Sequence, residues 1–207
     1  MTGAVAVTGG GSGATAEVVV AGEASDGALA SPAELSGRAL PRRIAFGSCA
    51  RQDKPQPIWD AVLASEPDLF VFLGDNIYGD TRDPTVLRAK YAQLAAQPGF
   101  KRLRERVPVL ATWDDHDFGP NDANGSYIHK DWTLNAFKSF WPNPSFGLGE
   151  DAAEEGITSQ LQFSDVEIFL LDNRFHRTSK DSIGSAAPTI LGETQLNWLL
   201  QALKQSQ

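Results

Sequence analysis

The 207-residue chain carries 18 Lys and Arg against 26 Asp and Glu, a net charge of −8, with 42% hydrophobic and 21% charged residues. That balance excludes wholesale disorder and supports one domain, with or without a tail. The acidity argues against nucleic acid as a stable partner, because such affinity comes from basic charge neutralising phosphates. The single cysteine, Cys49, excludes an internal disulfide, and three histidines give no zinc-finger spacing. No run approaches the roughly 20 apolar residues of a membrane-spanning helix, and no secretory signal is visible, so localisation stays open.

Residues 1 to about 40 are Gly, Ala, Ser, Thr and Val-rich around Gly9-Gly10-Gly11-Ser12-Gly13, which reads as a flexible leader or linker with a short strand at Glu17 to Ala21. A phosphate loop there would need a Lys-Ser/Thr ending that the segment lacks. From Arg43 onward short apolar strands alternate with amphipathic helices, the pattern of an α/β domain spanning 41–207. Ile44 to Phe46 is the first strand. Gln56 to Ser65 reads as a helix with Ile58, Trp59, Val62 and Leu63 on one face, stopped by Pro67 before the apolar strand Leu69 to Leu73.

Asp83-Pro84 supplies an N-cap and a first-turn proline to a helix whose Val86, Leu87, Tyr91 and Leu94 share a face, ended by Pro98-Gly99. Val107 to Thr112 is a third strand, and Asp131 to Phe140 a helix closed by Pro142 and Pro144. Thr158 to Phe163 and Val166 to Leu171, separated by Ser164-Asp165, form a hairpin. The last element is an amphipathic helix, Gly192 to Gln205, with Leu196, Leu199, Leu200 and Leu203 as its buried stripe.

In open α/β sheets ligands bind beyond the carboxyl ends of the strands. There the sequence places Gly47-Ser48-Cys49, Gly74-Asp75-Asn76-Ile77-Tyr78, Thr112-Trp113-Asp114-Asp115-His116-Asp117 and Asp172-Asn173-Arg174. A thiol, carboxylates, a phenol, an imidazole and a guanidinium make a metal-site inventory with an anion clamp. Each has a plainer reading: Gly-Asp as a turn, Cys49 as a small buried hydrophobe, Arg174 as a structural ion-pair partner. Tandem carboxylates flanking His116 repel one another unless a cation or hydrogen bonds hold them.

Taken together, Phe46-Gly47-Ser48-Cys49, Leu73 to Tyr78, Ala111 to Asp117 and Leu171 to Arg174 resemble the metallophosphoesterase (calcineurin-like phosphatase) superfamily, and within it the alkaline phosphatase D (PhoD-like) branch. The resemblance implies an α/β/β/α sandwich; strand and helix alternation alone gives only α/β. It implies Asp75 as a carboxylate bridging two metals, with Tyr78, Cys49 and Asp115 as further ligands. The register between Asp114 and Asp115 stays open. It also implies His116 as proton donor or transition-state contact; on the chemistry of the residues, Asp117 would orient its ring and Arg174 would clamp a nonbridging phosphate oxygen.

The implied cofactors are two metal ions, iron with calcium first, manganese or zinc as alternatives, and the implied partner is a small phosphate-ester substrate. Relatives are commonly periplasmic or secreted. They also continue into a Gly-Asp-x-His type motif that this chain lacks. The chain therefore reads as the N-terminal part of such a phosphatase, with sheet faces or edges left uncovered. A silent fragment that binds only a metal ion or anion is the alternative. An aspartyl phosphotransferase would need an Asp-x-Asp pair after its first strand, which Gly74-Asp75-Asn76-Ile77 does not supply.

Overall fold

The computed structural model describes residues 5–9, 41–148, 156–164, 166–179 and 188–206. The strand expected at Glu17 to Ala21 lies outside the described residues. Val5–Gly9 is itself a strand, β1, within the segment read as leader.

Three parallel strands, β2 (Ile44–Gly47), β3 (Leu69–Leu73) and β4 (Val109–Thr112), form one sheet with β3 in the middle. Its helices are α1 (Ile58–Ala64), α2 (Pro84–Ala96), α3 (Pro98–Arg106), the short α4 (Asp115–Phe118) and α5 (Lys130–Phe140). The second sheet is antiparallel, in the order β1, β6 (Val166–Leu170), β5 (Ser159–Phe163), and α6 (Glu193–Gln205) follows it. The β5–β6 hairpin pairs Phe163 with Val166 and Ser159 with Leu170, as the alternation predicts.

Side-chain alternation along the strands sorts the core into layers. On β3, Phe70 and Phe72 face Trp59, Leu94, Phe100, Phe137 and Trp141 of the helical layer, while Leu69 and Val71 face the other sheet. There they meet Leu161 and Phe163 of β5 and Ile168 and Leu170 of β6. Phe169, pointing the opposite way from its β6 neighbours, packs with Leu171 against Leu199 of α6. The order helix, sheet, sheet, helix is the α/β/β/α sandwich that the resemblance implies.

Three helix readings need correction. Pro98-Gly99 does not only end α2; Pro98 also occupies the first turn of α3, where a proline costs nothing because its missing N–H would be unpaired anyway. On α6, Leu196 and Leu200 are 43% and 47% exposed, and Gln195 is buried in their place. The Gln195 amide oxygen accepts from Asp172 N and Thr158 Oγ1, and its nitrogen donates to Asp172 O and Leu191 O, so polar bonding turned the helix. On α1, Trp59 is buried but Ile58 is 59% exposed. The N-cap of α2 is as expected, with Asp83 Oδ1 accepting from Thr85 N and Val86 N.

Candidate metal centre

The carboxyl ends of β2, β3 and β4 and the segment after β6 converge at one end of the sandwich. Backbone hydrogen bonds stitch them together: Cys49 N to Gly74 O at 3.1 Å, Ala50 N to Asp75 O at 2.9 Å, and Gly79 N to His116 O at 2.9 Å. Thr112 Oγ1 donates to Leu171 O and Trp113 Nε1 to Asp172 Oδ1, each at 2.8 Å, which ties β4 to the segment after β6.

Two of the predicted ligands hold left-handed backbone, Cys49 at φ 62° and Asp75 at φ 52°. Such conformations cost on the order of 1–3 kcal/mol for a non-glycine residue and persist where the surroundings over-determine them. Gly74 precedes at φ +100°, and a Cβ there would sit 2.8 Å from Asp114 N and Trp113 C. Gly74→Ala is therefore expected to destabilise the chain by about 2–4 kcal/mol and to displace Asp114. A thermal melt and a cation titration check this; an unchanged melt would show that the β3–β4 approach is not tight.

Carboxylate atoms of Asp75, Asp114 and Asp115 lie within 4.8 Å of one another. Arg174, almost fully buried, spans two of them: Nε donates to Asp114 Oδ1 at 2.6 Å and Nη2 to Asp115 Oδ1 at 3.0 Å, with Nη1 on Ala123 O at 3.2 Å. Each guanidinium nitrogen thus has a protein partner, and Arg174 is an ion-pair partner of the acidic cluster, with N–H groups of Nη1 and Nη2 left over for the expected phosphate contact. Both carboxylates of the uncertain register belong to the cluster. Asp115 Oδ2 also accepts from Asp122 N at 2.6 Å. Burial pushes its carboxyl up, but the Asp122 N–H and the Arg174 charge outweigh that and hold it below the usual carboxylate range. Asp75 goes the other way, raised first by burial and then by the charge of Asp114.

The thiol of Cys49 is exposed and lies 3.7 Å from Asp75 Oδ2. The phenol of Tyr78 is pushed up to about 12, first by burial and then by Cys49 and Asp75 beside it. All four predicted ligands thus meet at one place. The donor set suits a cation on three grounds. Asp75 Oδ1 is buried with no hydrogen-bond partner among the described residues, and so is Asn173 Oδ1 from the segment after β6. Three clustered carboxylates call for positive charge. Thiol and phenol beside carboxylate and amide oxygens offer both soft and hard donors.

His116 stacks against Tyr78, ring centroids 4.3 Å apart, and its Nδ1 lies 2.7 Å from Asp80 Oδ1. Asp117, expected to orient that ring, is buried with its carboxylate turned to the backbone N–H groups of Asn76, Ile77 and Asp114, so it braces the loops after β3 and β4. Asp80 holds the ring nitrogen instead. Sequence reasoning missed it because Asp80 and His116 are 36 residues apart and a loop aspartate carries no local signal. It also missed Gln52, buried, whose Oε1 accepts from Tyr78 N at 2.8 Å and fixes the backbone of that residue.

The layered fold and the acidic cluster at its strand ends define an α/β/β/α sandwich with a candidate cation site at one end. Residues 44–207 match the family model for PhoD-like phosphatases, and the chain belongs to that family. No curated protein matches the sequence. A solved structure of PhoD superposes with a TM-score of 0.62 at 19% identity, over 83% of this chain and 41% of that one.

Proposed function

We propose that the chain belongs to a metal-dependent hydrolase of phosphate esters. The observation that carries this is the cluster of Asp75, Asp114 and Asp115, with Asp75 Oδ1 buried and without a partner among the described residues. Asp75, Cys49, Tyr78 and Asp114 or Asp115 would hold the two cations. Iron suits the thiol and phenol, calcium the carboxylates, and manganese or zinc are the substitutes to test. Metal bound there supplies Lewis acidity, activating water and neutralising charge on the phosphoryl oxygens.

The residues of the chain do the rest. Water attacks phosphorus as the bond to the leaving oxygen breaks, and His116 in its imidazolium form gives its Nε2 proton to that oxygen while Asp80 accepts from Nδ1–H and holds the ring in place, the proton lost by water restoring the imidazolium. Family membership supports the reaction class, and the strained backbone at Cys49 and Asp75 supports a functional site.

The test is hydrolysis of chromogenic phosphate monoesters and diesters by the purified chain with iron, calcium, manganese or zinc, beside Asp75→Ala. Weak activity that needs both metal and Asp75 is expected of this chain, since part of the family's ligand set is missing from it; folded, metal-bound but inert protein would point to the silent binder. Proton donation by His116 predicts more. His116→Ala should lower kcat about 10²–10⁴-fold on an alkyl ester and much less on a p-nitrophenyl ester, whose leaving group needs no proton. Asp80→Asn should follow the same pattern, about tenfold. Equal losses on the two esters would remove His116 from that role.

A further inference from the structure

A cavity of about 460 Å³ opens beside the metal centre, between β2, α1 and the loop that joins them. Its walls include Phe46, Pro55, Pro57, Ile58, Val62 and Phe72, and the exposed cations Arg51 and Lys54 also line it. Phe46 is 70% exposed and Ile58 59% exposed, so two large apolar side chains stand open to a ligand rather than packed in the core. The cavity shares Cys49 with the centre, and the Cys49 thiol is 3.7 Å from Asp75 Oδ2. Arg51 is held in place: Asp53 takes its Nε and Nη2 at 2.9 and 2.8 Å, and its Cζ lies 4.5 Å from the centroid of the Tyr78 ring.

We propose that this cavity binds the organic group of the phosphate ester, and that the group it fits is apolar and ring-sized, an aryl ester in the simplest case. The proposal rests on the phosphoesterase reading of the adjoining centre. Its volume falls in the range of small-molecule sites, which are apolar with a few placed polar groups. An ester whose phosphorus sits at the carboxylate cluster would pass Cys49 to reach the apolar walls. The charge also matches: Lys54 at the lining complements an anionic ester carrying an apolar body. An aromatic face presented to Arg51 would add cation–π attraction.

Ile58 and Phe46 are exposed, so Ile58→Ser and Phe46→Ser leave the core intact and test the pocket rather than the fold. With 1-naphthyl phosphate and glycerol 2-phosphate as substrates, each variant should reduce the naphthyl-to-glycerol ratio of kcat/KM about tenfold, through KM for the naphthyl ester. An unchanged ratio overturns the proposal. Fluorescence titration of 1-naphthol into the metal-free chain gives a reading that needs no catalysis. Saturable binding, weakened about tenfold in either variant, is expected. If neither ester is hydrolysed, the phosphoesterase reading is what fails, and 1-naphthol decides the pocket: binding that Ile58→Ser weakens upholds it, and no saturable binding overturns it.

Discussion

Asp75→Asn is expected to raise the melting temperature of the metal-free chain while ending metal-dependent hydrolysis. The carboxyl of Asp75 is raised first by burial and then by the charge of Asp114, so its ionised form is costly in the folded state. Asparagine removes that charge, keeps the shape, and tolerates the left-handed backbone at φ 52°. Relief of that cost should lift the midpoint of the metal-free chain. The same change removes a carboxylate that would hold the proposed cations. Residues that merely support a ligand are worth about 10–100-fold in affinity or activity, so loss of the ligand should cost at least a hundredfold in rate. Added cation should also stop stabilising the variant, because stabilisation by a ligand requires binding to the folded state. Melting curves with and without metal decide this: a lower metal-free midpoint, or a retained metal-induced rise, would remove Asp75 from the centre.

That opposition between stability and activity explains which parts of the molecule the sequence could reveal. Strands and layers follow from local pattern: Leu69 to Leu73 is apolar on both faces because Phe70 and Phe72 pack on helices while Leu69 and Val71 pack on the second sheet. The residues after each strand were legible as chemistry because four strand ends carry unusual side chains together. Partnerships across long separations were not. Arg174 read as a clamp or an ion-pair partner, and nothing local shows that Asp114 and Asp115, 60 and 59 residues earlier, are the carboxylates that engage its guanidinium. Asp117 read as the partner of the adjacent His116, yet its carboxylate turns to N–H groups across the loop after β3. The stripe on α6 failed for a related reason. A period-3.6 pattern counts apolar residues, and it cannot register that four hydrogen bonds make Gln195 the buried position.

Arg174→Met should lower the midpoint of the metal-free chain by on the order of 10 °C. The guanidinium is almost fully buried and pairs with Asp114 at 2.5 Å and Asp115 at 3.0 Å. Methionine matches the aliphatic stem but leaves two buried carboxylates facing Asp75 without their cation. Breaking a buried pair from one side costs about 3–5 kcal/mol, most of it the penalty of the stranded charge. Because the penalty is electrostatic, two things should recover part of it. Asp75→Asn in the same chain should stabilise Arg174→Met by more than it stabilises the parent, a coupling of about 1 kcal/mol or more between sites in one network. A saturating divalent cation should likewise raise the melting temperature of Arg174→Met by more than that of the parent, since it replaces the missing positive charge. Independent, additive effects of the two substitutions would mean that Arg174 stabilises the fold through packing alone. The carboxylate cluster would then not be the common origin of the stability and metal-binding predictions.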